Sequence, residues 1–600
     1  MSHFINALNT SYNVGEKGHI QYDWSNDIDE EITQFFFQLV RTDNYTILER
    51  HLNDILTILK GKLDEHDKMT SLEFDEVVDR LKNVYKLIGQ TRDIIHGKGE
   101  QQLSFMQICV WYEHFPSLAL NAFTYFVDLE DEHPYGSWKD IKYFCNFVKE
   151  KFQDDKHPII LHACSLMVAK LKEDWENFSS MNGESKTSND DKPISLAAKW
   201  VPREPNYKKK KNVKFGWLFK RLAMNTFPQF LQYTSKNEPT WHKAVLKCKI
   251  HFKKRITIMN KFTDTTQIKQ CNKQWQDINF NNVTTHTLRK QTNAFQNKTK
   301  NGQQKSELKD RKLCAVKFKN HIESAKSNPT ENKVHGRRCN VYELVKDAMQ
   351  YTSYDSNTST SIDTINLQWE DNSKNNKGLV HLPIVSLVDT SSSMECSGCV
   401  PLYNAIGLGI RTSELTHPAF RDKILTFDST PKWVNMDDCE TFWHKVHKIK
   451  KAAWGTSTNI YLAFKMILDA CIQNNVPPSE VEGMILAIYS DMQIDCCYVA
   501  SSPYNNQALS DEIDTMYSSA GYTTPHLLFW NPRSTDGFPM VTTKKNITAL
   551  SGYNSSLLNV FCNKGIEGLK EFTPKKTLEN ILKNNRYDKM NQDIIMFVNN

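Results

Sequence analysis

Asp389, Ser391 and Ser393 occupy alternate positions in VDTSSSM, and far downstream Asp491 stands in YSDMQID. All four offer oxygen and none offers nitrogen or sulfur. Few carboxylates, several hydroxyls and room for water make the donor set of a hard divalent cation such as Mg2+. Such a cation keeps a coordination position open for an incoming carboxylate or phosphate. Between the two motifs, WGTSTN supplies Thr456, Ser457 and Thr458 at the start of a helix. Asp-x-Ser-x-Ser alone arises easily by chance, so its weight depends on the elements that carry it.

Those elements are strands alternating with helices. Pro383 to Val388 is a branched, apolar run of the kind a strand buried on both faces requires, and it stops at Asp389. A helix is expected from about Leu402 to Leu415, then strands at KILTF and KWVNM joined by a turn at DSTP. Helices follow at CETFWHKVHKI and NIYLAFKMILDACI, with further strands at EGMILAIY and HLLFW. This alternation predicts a mainly parallel, doubly wound sheet, whose ligands sit beyond the carboxyl ends of the strands at a topological switch. Asp389 and Asp491 both fall there.

Upstream, EEITQFFFQLV, DEVVDRLKNVYKLIG, LSFMQICVWYEHF and WKDIKYFCNFVKEKF place apolar residues at helical spacing, which suits helical hairpins stacked as an irregular solenoid. The expected organisation is a helical region over 1–178, a polar linker over 179–194 and a basic helical region over 195–350. A second polar linker over 351–378 then leads to the α/β domain over 379–600.

Charge is segregated along this chain. Residues 201–350 hold 33 Lys and Arg against 10 Asp and Glu, an excess of +23, while the other 450 residues hold 42 against 59, or −17. A basic middle between acidic ends points to a polyanionic partner, and RNA is the expected one. The candidate contacts are Lys208, Lys209, Lys210, Lys211, Lys214, Lys220 and Arg221, and then Lys247, Lys249, Lys253, Lys254 and Arg255. Lysines neutralise phosphates without reading sequence, and the interleaved Tyr207, Phe215 and Trp217 could stack on unpaired bases or simply form core.

Several classes are not expected. No apolar run is long enough to cross a membrane, the start lacks a signal-peptide pattern, and fourteen scattered cysteines do not make a disulfide scaffold, so a cytoplasmic protein is expected. GKGE at Gly97 lacks the ending of a phosphate loop. Cys396, Cys399, Cys496 and Cys497 are poorly spaced for zinc, and His444 and His447 read as surface residues. No nucleophile–base or paired-carboxylate arrangement argues for catalysis, so the chain reads as a non-enzyme.

VDTSSSM with YSDMQID resembles the metal-ion-dependent adhesion site of von Willebrand factor A domains, in the version found in TROVE (Ro autoantigen) proteins. TRDIIHGKGE, YGSWKDI, AAKWVP, LQW, WGTSTN and LLFWNPR add a resemblance to a TROVE-like family of plants, fungi and giant DNA viruses. The resemblance implies an α plus α/β fold, a HEAT-like all-helical N-terminal region followed by a Rossmann-like von Willebrand factor A domain. By position, it implies metal ligation by Asp389, Ser391, Ser393, Thr458 and Asp491. GTSTN departs from the family in lacking a second glycine, which leaves Thr456 as an alternative ligand. In Ro proteins the helical ring holds small RNAs, so the resemblance implies a ribonucleoprotein. The alternative is an assembly module that captures an acidic residue of a protein partner at the metal, as a component of a giant-virus particle would.

Overall fold

The computed structural model describes the chain except for residues 1–10, 131, 182–193, 207–209, 380–381, 428–430, 453–459, 494–507, 562–565 and 600. It divides into two compact units that are discontinuous in sequence, whereas the segments expected from sequence are contiguous. One comprises residues 1–103, 279–307 and 315–600, and the other residues 104–278 and 308–314.

The first unit is built on a six-stranded sheet. A hairpin of β1 (Tyr12–Val14) and β2 (Ile20–Tyr22) precedes it in the chain. The sheet strands are β3 (Ile384–Asp389), β4 (Lys423–Phe427), β5 (Lys432–Asn435), β6 (Ile485–Tyr489), β7 (His526–Asn531) and β8 (Ile547–Ser551), in the order β5-β4-β3-β6-β7-β8. All pairs are parallel except β4 with the edge strand β5. Strand order reverses direction at β3, so the crevice between the ends of β3 and β6 is the topological switch.

Alternation of side chains puts β3 in two cores at once. Ile384 and Val388 join the apolar residues of helices Val341–Met349, Ser359–Ser373 and Phe442–Ala452 on one face. Val385 and Leu387 join those of Ile460–Gln473 and Leu509–Ser519 on the other. Helix Cys396–Leu415 lies close on β3 because Gly409 has no side chain; a Cβ there would meet Val388 Cγ2 at 2.4 Å.

Two expectations need correction. Helix Ser359–Ser373 occupies most of the expected linker over 351–378, and Ile362, Ile365 and Trp369 are core residues. Its many Ser, Thr and Asn residues disguise a narrow apolar stripe. Trp369 stacks on Phe442 at 3.9 Å, donates its indole N–H to Glu414, and lies 3.8 Å from the Arg411 guanidinium. Strand β8 was not foreseen, since ITALS is short, partly polar and flanked by lysines, yet all five residues are buried. Helices Ile28–Gln38 and Pro574–Leu582 cover it.

The TRDIIHGKGE segment is part of this unit. Lys98, buried, donates to Leu39 O at 3.0 Å and Ser551 Oγ at 2.7 Å, so it ties the end of helix Ile28–Gln38 to β8. Asp93 accepts both Nε and Nη2 of Arg586 at 3.0 Å. These contacts hold the fold together and engage the Lys98 ammonium within it.

At the start of β7, His526 is enclosed, with Nε2 2.9 Å from Thr548 Oγ1 and Nδ1 3.2 Å from Asn546 Oδ1. Burial pushes its pKa down from 6.5 to about 4. The unfolded chain therefore takes up a proton that the folded chain refuses. The stability is intact above pH 6.5 and is lost as pH falls towards 4, by up to about 3 kcal/mol. Urea unfolding at pH 7.5 and 4.5 should show that extra loss in the native chain and not in His526→Asn; equal losses in both would contradict it.

The second unit is helical among the described residues. Helix Pro158–Ser180 packs against Pro116–Val127, Lys139–Phe152, Gly216–Thr226 and Pro239–Thr263. Among the described residues no helix is long and apolar enough to cross a membrane.

Candidate functional site

Strand β3 delivers Asp389 to the carboxyl edge of the sheet, and its neighbour β6 delivers Ser490 and Asp491 to the same edge. Asp389 and Asp491 are fully buried, and Ser393 is half-buried. Asp389 accepts the Ser391 N–H at 2.9 Å on Oδ1 and the Ser490 hydroxyl at 2.5 Å on Oδ2. Ser391 Oγ lies 3.1 Å from Ser393 Oγ, and Ser393 Oγ donates to Asp491 Oδ1 at 3.4 Å. Hydrogen bonds thus run from Asp389 through the Ser391 N–H, and from the Ser391 and Ser393 hydroxyls to Asp491, linking two carboxylates that lie far apart in sequence.

The backbone turns to serve them. Met492 has φ 59°, left-handed for a side chain of its size, and this sharp turn follows Asp491 directly. Across it, Met492 N–H reaches Ser490 Oγ at 3.0 Å and Gln493 N–H reaches Asp491 Oδ1 at 3.1 Å.

Electrostatically the pair is under-compensated. Burial first, and then the nearby Asp491 charge, hold the Asp389 carboxyl well above the usual carboxylate range. Burial also raises Asp491, opposed by Arg533. Both donors to Asp389 are neutral, so its charge meets no cation among the described residues.

Arg533 was not assigned a role from sequence, although LLFWNPR ends a parallel strand beside β6, and that strand-end position was the available signal. Asn531 Oδ1 accepts its N–H at 2.9 Å, and its Nε donates to Asp491 Oδ2 at 2.9 Å. Its Nη1 and Nη2 fork onto both oxygens of Glu16 at 3.1 and 2.7 Å. Glu16 comes from the β1–β2 turn, and its N–H donates to Gln493 Oε1 at 2.8 Å.

The residues fit a hard divalent cation. The donors are oxygens alone, and the buried Thr390 Oγ1 next to Asp389 makes no hydrogen bond among the described residues. Asp389, Ser391 and Ser393 would hold the ion and Asp491 would support it, its Oδ2 being engaged by Arg533. The ion would supply a Lewis-acidic anchor for a carboxylate or phosphate oxygen. Thr456 and Thr458 lie outside the described residues.

The other candidates fall elsewhere. Cys396 and Cys399 are half-buried, and Cys496 and Cys497 lie outside the described residues. His447 packs against Trp443 and reaches Ala348 O at 3.3 Å, and His444 bonds Thr441.

Of the basic candidates, Lys208 and Lys209 lie outside the described residues. Lys210, Lys211, Lys214, Lys220, Lys247, Lys253 and Lys254 are exposed, and Lys249 is partly so. Helix Pro239–Thr263 turns Lys249, Lys253, Lys254 and also Lys261 towards an open groove of about 530 Å³, with Glu204 opposite. Four candidates are already engaged, Lys253 among them through Glu204 at 3.1 Å. Lys214 pairs with Glu150 at 3.3 Å and Arg221 with Asp155 at 3.1 Å. Arg255 lies 4.6 Å from the Trp175 ring and 4.7 Å from that of Phe227. Phe215 and Trp217 are half-buried, and they too meet lysines of the same unit, Lys142 and Lys149.

Residues 384–598 match the family described as Domain of unknown function (DUF7788). The match opens on the first residue of β3 and takes in Asp389, Asp491 and Arg533, but not Glu16. The chain is also 24% identical over 513 residues to "Uncharacterized protein L728" of Acanthamoeba polyphaga mimivirus, covering 84% of this chain and 79% of that protein. It is thus similar, over most of its length, to a giant-virus protein.

Proposed function

We propose that this chain is a non-enzymatic, TROVE-like RNA-binding protein whose α/β unit is a von Willebrand factor A domain with a divalent-cation site. Its helical unit is read as HEAT-like. The observation that carries the cation reading is the hydrogen-bonded cluster of Asp389, Ser391, Ser393 and Asp491, at the switch point of a parallel sheet. Two buried carboxylates served by one guanidinium, Arg533, which Asp491 shares with Glu16, are short of positive charge, and a divalent ion with an open position supplies it. The lysine-lined groove of helix Pro239–Thr263 supports RNA as the polyanion, because phosphate binding needs clustered, exposed cations and little shape.

The test of the cation reading is uptake of one Mn2+ per chain, read as loss of the free-ion EPR signal and reversed by Mg2+. A free-ion signal that the protein leaves unaltered overturns it.

A second reading, capture of an acidic residue from a protein partner, is favoured by one observation. Arg533, beside the site, already grips a carboxylate, that of Glu16. Glu16→Gln would leave that guanidinium for an outside acid. Binding of an acidic peptide should then tighten by about two- to fivefold, the worth of a half-exposed ion pair. Unchanged peptide affinity in a fluorescence titration would remove the support for capture.

A further inference from the structure

Away from the sheet's carboxyl edge, His286, Cys339 and Glu343 converge so that an imidazole nitrogen, a thiol sulfur and a carboxylate oxygen all lie within 4.8 Å of one another. Among the described residues this is the one group of three such ligands so arranged. From these residues we infer a second metal site, distinct from the Asp389 cluster, that takes Zn2+ through His286, Cys339 and Glu343 with its fourth position open.

The elements explain the convergence. His286 is the second residue of helix Thr285–Phe295. Cys339 immediately precedes Asn340, the N-cap of helix Val341–Met349, and Glu343 is the third residue of that helix. Arg289, one turn beyond His286, donates Nη1 to Glu343 Oε1 at 2.7 Å and Nε to Asp347 Oδ2 at 2.5 Å. This holds the carboxylate so that its other oxygen, Oε2, stands 3.9 Å from His286 Nδ1. An arginine orienting a ligand carboxylate from behind is the usual second layer of a metal site. Charge points the same way, for Glu343 and Asp347 face the single guanidinium of Arg289 and leave one negative charge over.

The ligand types choose the metal. A thiolate beside an imidazole suits zinc and rejects Mg2+ and Ca2+, whereas the oxygen-only Asp389 cluster does the opposite. Three protein ligands with an open fourth position is the pattern of zinc sites that hold a water or a substrate. Cys339 is buried while His286 is half-exposed, so the cluster is rooted in the core and open to solvent at one side.

Binding must displace the thiol proton. Burial pushes the Cys339 thiol up, so it is protonated in the metal-free chain at neutral pH. On ligation the sulfur–hydrogen bond breaks, the sulfur lone pair goes to zinc and the proton leaves to solvent.

The test uses the full-length chain stripped with chelator and titrated with Co2+, then Zn2+. The expected result is one sulfur-bound cobalt per chain, read from a sulfur-to-cobalt charge-transfer band that saturates at that ratio, is bleached by stoichiometric Zn2+ and is absent in Cys339→Ser. The exposed His286→Ala should weaken Zn2+ binding by more than about a hundredfold, the upper end of what loss of a supporting group alone costs, with unfolding of the metal-free chain unchanged. Asp389→Asn should leave the band intact. No band, or a band that survives in Cys339→Ser and His286→Ala, overturns the assignment. A band lost only in Cys396→Ser or Cys399→Ser overturns it equally.

Discussion

Asp389→Asn is expected to raise the unfolding midpoint of the metal-free protein at pH 8 and to abolish the further rise that Mg2+ gives the native chain. The native carboxylate is wholly buried, is bonded by two neutral donors, and lies near a second buried carboxylate. Removing an uncompensated buried charge stabilises, here by about 1–3 kcal/mol. An Asn side chain keeps the acceptor for Ser391 N–H and can donate to Ser490 Oγ, so little is lost with the charge. The sign with pH follows. A folded-state pKa held above its unfolded value means that the folded chain retains a proton the unfolded chain has released. Metal-free stability therefore declines as pH rises from about 4, and the Asn chain lacks that part of the slope. Mg2+ at a hundred times its dissociation constant should add about 2.7 kcal/mol to the native chain and nothing to the variant. Thermal scans in EDTA and in Mg2+ decide it. A variant less stable than the native chain in EDTA, or equally responsive to Mg2+, would refute the cation site.

The second large effect concerns RNA. Replacing Lys249, Lys253, Lys254 and Lys261 together with Gln should flatten the dependence of log K on log salt by about 3, close to 0.7 for each phosphate contact on a single strand. Lys253 contributes least, because it shares its charge with Glu204 at 3.1 Å. Arg255→Gln is the informative contrast. Its guanidinium lies near both Trp175 and Phe227, so its loss should cost stability, about 1–2 kcal/mol for two cation–π contacts, while leaving the salt slope as it was. Fluorescence anisotropy with an unstructured RNA oligonucleotide from 50 to 200 mM salt, about the range in which such contacts dominate, measures both. A slope that survives the fourfold replacement would exclude this groove as the RNA surface.

How much of this was legible in the residues varies with the range of the interaction involved. Strands β3, β4, β6 and β7 announce themselves, because burial on both faces demands uninterrupted branched apolar residues, and IVSLV, KILTF, ILAIY and HLLFW supply them. Helices Cys396–Leu415, Phe442–Ala452 and Ile460–Gln473 around them follow from spacing alone. That Asp389 and Asp491 stand at strand ends was equally plain, since each directly follows an apolar run or sits two residues beyond it.

Other features depend on who pairs with whom. ITALS carries too weak a local pattern to be read as a strand, and it becomes one because β7 and two helices enclose it. Helix Ser359–Ser373 hides its stripe in polar residues, and Trp369 acquires meaning only with Phe442, Glu414 and Arg411 around it. Arg255 and Lys261 look alike in a list of charges, yet one lies near two aromatic rings and the other lines a groove.

By itself, then, the sequence determined the alternation of strands and helices, the oxygens at the strand ends and the basic middle, because each is written in neighbouring residues. Only the tertiary structure decided that Arg533 and Glu16 close over Asp491, and that His286 meets Cys339 and Glu343. Those meetings join segments far apart along the chain, and the packing of whole elements, which no local spacing encodes, brings them within a few ångströms.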